Sequence, residues 1–119
     1  MGDYTPDYVP GHEITLQASA TITGGQVVAV SGSGTVAPAG AASPAVVGVA
    51  AFDAATNGSV TVFARGITHI STASGAITAA ARVDAGAAGT VASATAGVTN
   101  IGVALTTAAD GASVTWMEI

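Results

Sequence analysis

The chain has 119 residues, seven acidic side chains, two arginines and no lysine, for a formal net charge of −5, and 50% of it is apolar. A surface so poor in cations cannot neutralise a phosphate backbone, which excludes nucleic acid as a direct partner. Zero cysteines exclude disulfides and thiolate metal sites, and no run of about 18 apolar residues escapes interruption by Gly, Pro, Ser or Thr, so no membrane partner is expected.

Residues 1–13 differ from all that follows. They hold both tyrosines (Tyr4, Tyr8), two of the four prolines (Pro6, Pro10) and three of the seven acids (Asp3, Asp7, Glu13). Proline fixes φ and pushes its predecessor toward extended geometry, so Thr5-Pro6 and Val9-Pro10 predict a stretched arm rather than a helix. Without a basic segment followed by an apolar one, the arm does not read as a secretory leader, and synthesis in the cytoplasm is expected. Tyrosine offers much contact area for little side-chain entropy, which marks Tyr4 and Tyr8 as binding groups.

From Ile14 the pattern changes. Ile14, Leu16, Ala18, Ala20 and Ile22 alternate with polar residues, a period of two that predicts a half-buried strand. Residues 22–63 then repeat as residues 77–116. ITGGQVVAV from Ile22 answers ITAAARVDA from Ile77, GTVAPA from Gly34 answers GTVASA from Gly89, VGVA from Val47 answers IGVA from Ile101, and SVTVF from Ser59 answers SVTWM from Ser113. Each copy reads as short strands joined by turns at Ser31-Gly32-Ser33-Gly34, Asn57-Gly58, Ala88-Gly89 and Asp110-Gly111, because Asn, Asp and Gly accept positive φ. Residues 76–88 are rich enough in alanine to read as helix on propensity alone. Their partner contains Gly24, Gly25 and a valine run, so the copy is expected to be strand as well. The alternation turns Val60, Val62, Ala64, Val114 and Trp116 inward and Thr61, Phe63, Thr115 and Met117 outward. Phe63 and Met117 are thereby candidate interface residues. The apolar set is mostly alanine and valine, each of which removes little area from water, so association is expected to add to stability.

Motifs for chemistry are absent. Gly32-Ser33-Gly34-Thr35-Val36-Ala37 imitates a dinucleotide fingerprint, but Pro38, Gly40 and Pro44 break the helix that the pyrophosphate would need, leaving a hairpin turn. His12 and His69 have no ligand-spaced partner, so no metal is expected. Asp53, Asp84 and Asp110 sit at or beside predicted turns, where a carboxylate closes an Asx-turn. No G-x-S-x-G surrounds any serine, and no Ser, His and Asp are tied by spacing, so neither catalysis nor a cofactor is expected. Asn57-Gly58-Ser59 matches a glycosylation sequon and reads as a turn.

Taken as a series, MGDYTPDYVPG, ITGGQVVAVSGSGTVAPA, VVGVAAFDAATNGSVTVFARG and IGVALTTAADGASV resemble the capsid cement, or head decoration, proteins of tailed bacteriophages. The likeness spans nearly the whole chain. It implies a virion protein on the outer surface of the capsid, with the major capsid protein and further copies of itself, as a trimer, for partners. It also implies that Tyr4, Thr5, Pro6, Asp7, Tyr8, Val9, Pro10 and Gly11 contact the capsid. The fold expected is all-β: a small β-barrel or β-tulip-like domain over residues 14–119, built from two duplicated β units, with residues 1–13 as an extended arm. One departure stands out, since Ala79-Ala80-Ala81 replaces Gly24-Gly25-Gln26 and leaves the geometry of that turn open. The competing function is a receptor- or glycan-binding module of a tail fibre or surface layer, suggested by the threonine-rich strand faces. Such a site wants aromatics in its loops, and these loops have almost none.

Overall fold

The computed structural model describes residues 13–64, 66–94 and 100–119; the arm therefore lies outside the described residues, apart from Glu13. The described residues form ten strands and a single 3-10 turn at Ala87–Gly89. The first five are β1 (Glu13–Ala18), β2 (Val27–Gly32), β3 (Thr35–Pro38), β4 (Val46–Ala50) and β5 (Ser59–Phe63). They close into a barrel in the order β1-β3-β2-β4-β5, the closure being the parallel pair β1–β3 through Gln17↔Thr35 and Ala18↔Val36. The other five are β6 (Thr68–Thr72), β7 (Arg82–Ala85), β8 (Val91–Ser93), β9 (Gly102–Ala104) and β10 (Ser113–Glu118), in the order β6-β10-β9-β7-β8. This is the same circuit, one repeat later. Its closing contact has shrunk to one parallel bridge, Ala73↔Val91, which is the pair Ala18↔Val36 displaced by 55 residues.

The fold is thus all-β and duplicated, and the duplication reaches further back than sequence similarity does. β1 and β6 are also 55 residues apart, although EITLQA and THISTA share little. Glu13, grouped with the arm by composition, is the first residue of β1. The ten-residue alternation from Ile14 is interrupted after Ala18 by a bend at Ser19-Ala20, and Ile22 rejoins the fold as an isolated bridge to Ala54. Its counterpart bridge is Ile77↔Ala108.

The hairpin between β2 and β3 turns on Ser33-Gly34, with Gly34 at φ 72, as the glycine-rich motif requires when no helix follows. The alanine-rich stretch forms a turn, then strand β7 and the start of the 3-10 turn, with no α-helix. Ala80 stands at φ 76 where the first copy has Gly25 at φ 90, so the turn is the same in both copies and alanine carries the left-handed backbone. A close approach fixes a second pair of positions. A Cβ on Gly48 would stand 2.0 Å from the Phe63 carbonyl oxygen, and one on Gly102 would stand 2.3 Å from that of Met117. Both units therefore cross their fourth and fifth strands at a glycine.

The cores show how the repeat is used. Ala18, Ile22, Val28, Val36, Ala50, Ala54, Val60 and Val62 fill the first barrel. The residues 54 or 55 positions on are Ala73, Ile77, Val83, Val91, Ala104, Ala108, Val114 and Trp116, all buried inside the second unit. Only Val62 and Trp116 differ in type. The second cluster also takes in Val27, Ala29, Ala39, Val46 and Val49 of the first unit. Val27, Ala29, Val46 and Val49 lie on the opposite strand faces from Val28, Val47 and Ala50, which serve the first core. β2 and β4 are thus buried on both faces, and the two units share one hydrophobic seam. Gly89 N–H donates to Ala39 O at 2.9 Å, Ala42 N–H to Ala85 O at 2.8 Å and Gln26 Nε2 to Ala88 O at 3.0 Å, which pins the seam with polar contacts.

Candidate functional site

Phe63 and Met117 are equivalent residues near the ends of β5 and β10. Phe63 is half-buried and pairs with Val49 on one side and Glu13 on the other. Met117 is 40% exposed and lies between Thr68 and Val103. They belong to different sheets, so the fold does not gather them into one patch by strand pairing. Tyr4 to Gly11 lie outside the described residues. The strand that follows them opens with Glu13 paired opposite Phe63.

The second unit carries a broader outward face. Ile70 pairs with Thr115, and Leu105 N–H donates to Thr115 O at 2.8 Å, so Ile70 of β6, Thr115 of β10 and Leu105, just past β9, form a row. The next row is Thr68, Met117 and Val103. Ile70 is 66% exposed and Leu105 49%. Sequence reasoning passed over both, since each looks ordinary alone. The signal lies in the repeat: the first unit has Thr15 and Ala51 at the same places, so the second copy has gained apolar area where no core uses it.

Inside the second unit a polar group replaces apolar residues of the first. His69 and Ser71 stand where the barrel has Ile14 and Leu16, and Glu118 stands where it has Ala64. His69 Nε2 meets Glu118 Oε1 at 3.0 Å with both side chains buried, and the His69 ring is tilted against Trp116 with centroids 5.0 Å apart. Trp116 Nε1 donates to Ser71 Oγ at 3.0 Å, and Ser71 Oγ donates across the seam to Gly25 O at 3.5 Å. The arrangement satisfies buried donors and holds no relay from serine to histidine. Among the described residues no three of His, Cys, Asp or Glu gather to hold a metal.

The turn carboxylates act at longer range than an Asx-turn. Asp53 Oδ1 accepts Gly24 N–H and Asp110 Oδ1 accepts Gly75 N–H, each at 2.8 Å, tying turns 29 and 35 residues away. Thr107 repeats the role of Asp53, its Oγ1 accepting Ala79 N–H at 3.0 Å. Asp84 is no turn residue: it lies within β7 and is buried.

A small barrel, a second sheet fused to it and an apolar outer face make up the body of the described residues. The family model for phage cement proteins matches residues 8–119. The chain belongs to the phage cement protein family. Cement-family membership gives it a structural role, decoration of the capsid, and a capsid-associated place in the virion. The fold is also that of the N base of head fiber gp8.5 in bacteriophage phi29, a crystal structure matched with a TM-score of 0.72 at 17% identity over 91% of this chain and 93% of that one. No curated protein matches significantly.

Proposed function

We propose that this cement protein sits on the outer surface of the mature head and binds the major capsid protein through residues 1–12, with Phe63 and the Ile70, Leu105 and Met117 face completing the contact. The observation that carries this reading is the pairing of Glu13, the residue that follows that segment and opens β1, with Phe63. Ordering the arm costs on the order of 1 kcal/mol or more per residue, while Tyr4, Tyr8 and Val9 return about 2 kcal/mol each on burial. One arm alone binds weakly. Linking several arms through an oligomeric body, a trimer in this reading, converts weak contacts into firm attachment. No step of this role calls for catalysis or a cofactor, and synthesis in the host cytoplasm fits it.

The test is co-sedimentation with capsids lacking decoration. A chain missing residues 1–12 keeps Glu13 and all of β1, so it is expected to retain its β-sheet circular dichroism and lose capsid binding. Full occupancy by the truncated chain would overturn the assignment to the arm, and sedimentation velocity of the free protein decides the trimer.

A further inference from the structure

β6 is an end strand of the second sheet, with β10 as its neighbour on one side. The ladder decides which of its backbone groups face the other way. Ala73 N–H donates to Ala112 O at 2.8 Å, and the same register runs on through Ser71↔Val114 and His69↔Trp116, so these residues exchange their bonds with the β10 side. Ile70 and Thr72, in between, turn their N–H and C=O groups outward. Ser74, of the same parity, donates its N–H to Val91 O at 2.7 Å on that outer side. A Cβ on Gly25 would come within 3.9 Å of Ile70 O, which places that carbonyl on the outer side too. Both residues are exposed, and among the described residues neither has a backbone partner there.

The first unit closes the corresponding position. Gln17, the counterpart of Thr72, donates its N–H to Gly34 O at 3.2 Å. Gly89, the counterpart of Gly34, is drawn away toward the first unit instead: its N–H goes to Ala39 O at 2.9 Å, and a Cβ on it would stand 2.8 Å from Gln26 Cβ. Docking of the two units thus opens the second circuit where the first is shut. It leaves a cleft of about 360 Å³ between the Ile70 to Thr72 edge, the Ala88 to Thr90 segment and the Thr23 to Gln26 turn. No charged residue and no aromatic ring lines it, so it has neither a counter-charge for an ion nor a platform for a sugar. What it offers is a row of unpaired main-chain donors and acceptors, which is what an added strand requires.

We infer that the β6 edge takes up an extended, uncharged segment of the major capsid protein as an added strand, paired to Ile70 and Thr72. Ile70 lines the cleft and also begins the outward row that continues through Thr115 to Leu105, so a segment lodged there is continuous with the face that meets the capsid. A second copy has no barrel strand to lend, because each strand of the barrel already has a neighbour on both sides. The identity of the donor rests on the capsid-binding role proposed above; the open edge does not.

The test is amide hydrogen exchange, read residue by residue, on the full chain alone and bound to undecorated capsids. In the free chain the Ile70 and Thr72 amides are expected to exchange about tenfold or more faster than those of His69 and Ser71, and on capsids to slow by about tenfold or more while His69 and Ser71 stay as they were. Slow exchange at Ile70 and Thr72 in the free chain means that the chain's own arm or a second copy fills the edge, and overturns the capsid as donor. Bound chain with no new protection overturns the added strand and leaves the decoration reading standing. Failure of the wild-type chain to bind capsids overturns that reading and the donor with it. Thr72→Pro removes one outward N–H and no bond to β10, and is expected to weaken capsid binding by about tenfold, whereas Thr72→Val keeps the N–H and is expected to bind as the wild type does. Undiminished binding by Thr72→Pro, or an equal loss in both variants, overturns main-chain pairing; should Thr72→Pro fail to fold, by circular dichroism, the exchange pattern of the wild type decides.

Discussion

Trp116 donates its indole N–H to the hydroxyl of Ser71 at 3.0 Å, and each of the two replaces an apolar residue that faces the equivalent core, Val62 for Trp116 and Leu16 for Ser71. The pair has been exchanged together. A larger ring with a polar edge has been matched by a smaller residue with an acceptor, which keeps the volume filled and the donor satisfied.

This relationship sets a stability cycle. Ser71→Ala leaves a buried N–H unpaired and is expected to cost about 1–3 kcal/mol. Trp116→Val leaves a cavity and is expected to cost about 3–5 kcal/mol, by analogy with other large-to-small core changes. The double variant Ser71→Leu with Trp116→Val restores the pair used by the barrel. It is expected to be less destabilised than the sum of Ser71→Leu and Trp116→Val made singly, a coupling that urea unfolding of the wild type, these two single variants and the double variant measures directly.

The turn before β7 gives a second prediction. Ala80 holds φ 76 in a place where the first copy uses Gly25 at φ 90. A left-handed alanine costs about 1–2 kcal/mol, part of which glycine gives back through its larger unfolded-state entropy. Ala80→Gly is expected to stabilise by about 0.5–1 kcal/mol, and Gly25→Ala to destabilise by a similar amount, since a Cβ there meets nothing closer than Ile70 O at 3.9 Å and only the backbone objects. Thermal unfolding reads both signs. A destabilised Ala80→Gly protein would show that the strain lies elsewhere.

Asp84 gives the third, through pH. Its carboxyl is raised by burial, so the folded chain holds that proton more tightly than the unfolded chain does. The associated stability is fully present below the ordinary aspartate value of about 3.9 and is lost as pH rises through the higher folded value. Asp84→Ala removes this loss. The variant is therefore expected to be more stable than the wild type at pH 7, with an advantage that shrinks as pH falls toward 4. Denaturant midpoints across that range check it, and an advantage independent of pH would show that the carboxyl is not the cause.

Much of the architecture was legible before any coordinates. The repeat and its turns are local statements: Gly34, Asn57 and Gly111 take the positive φ that their residue types announce. The sidedness of the last strands follows from the period of two, and Val60, Val62, Val114 and Trp116 are all fully buried. The kinship of β1 and β6 was not legible, because Ile14 and Leu16 became His69 and Ser71 and only strand register preserves the correspondence. The outward apolar face was hidden for a related reason: Ile70 and Leu105 are distinguished only by what stands at their counterparts.

Sequence by itself determined the class of the fold, the duplicated order of strands and turns, and the resemblance to a family, since these rest on residue-by-residue backbone preferences and on alternation. Tertiary structure alone decided what each outward residue faces. Alternation can say that Ala29 and Asp84 face away from the core of their own unit, but whether such a side chain meets water or a neighbouring unit depends on how the second copy is docked on the first. Docking buried Ala29 in the seam and left Asp84, its counterpart, buried with no hydrogen-bond partner, because two similar circuits joined end to end cannot present the same face to the same neighbour.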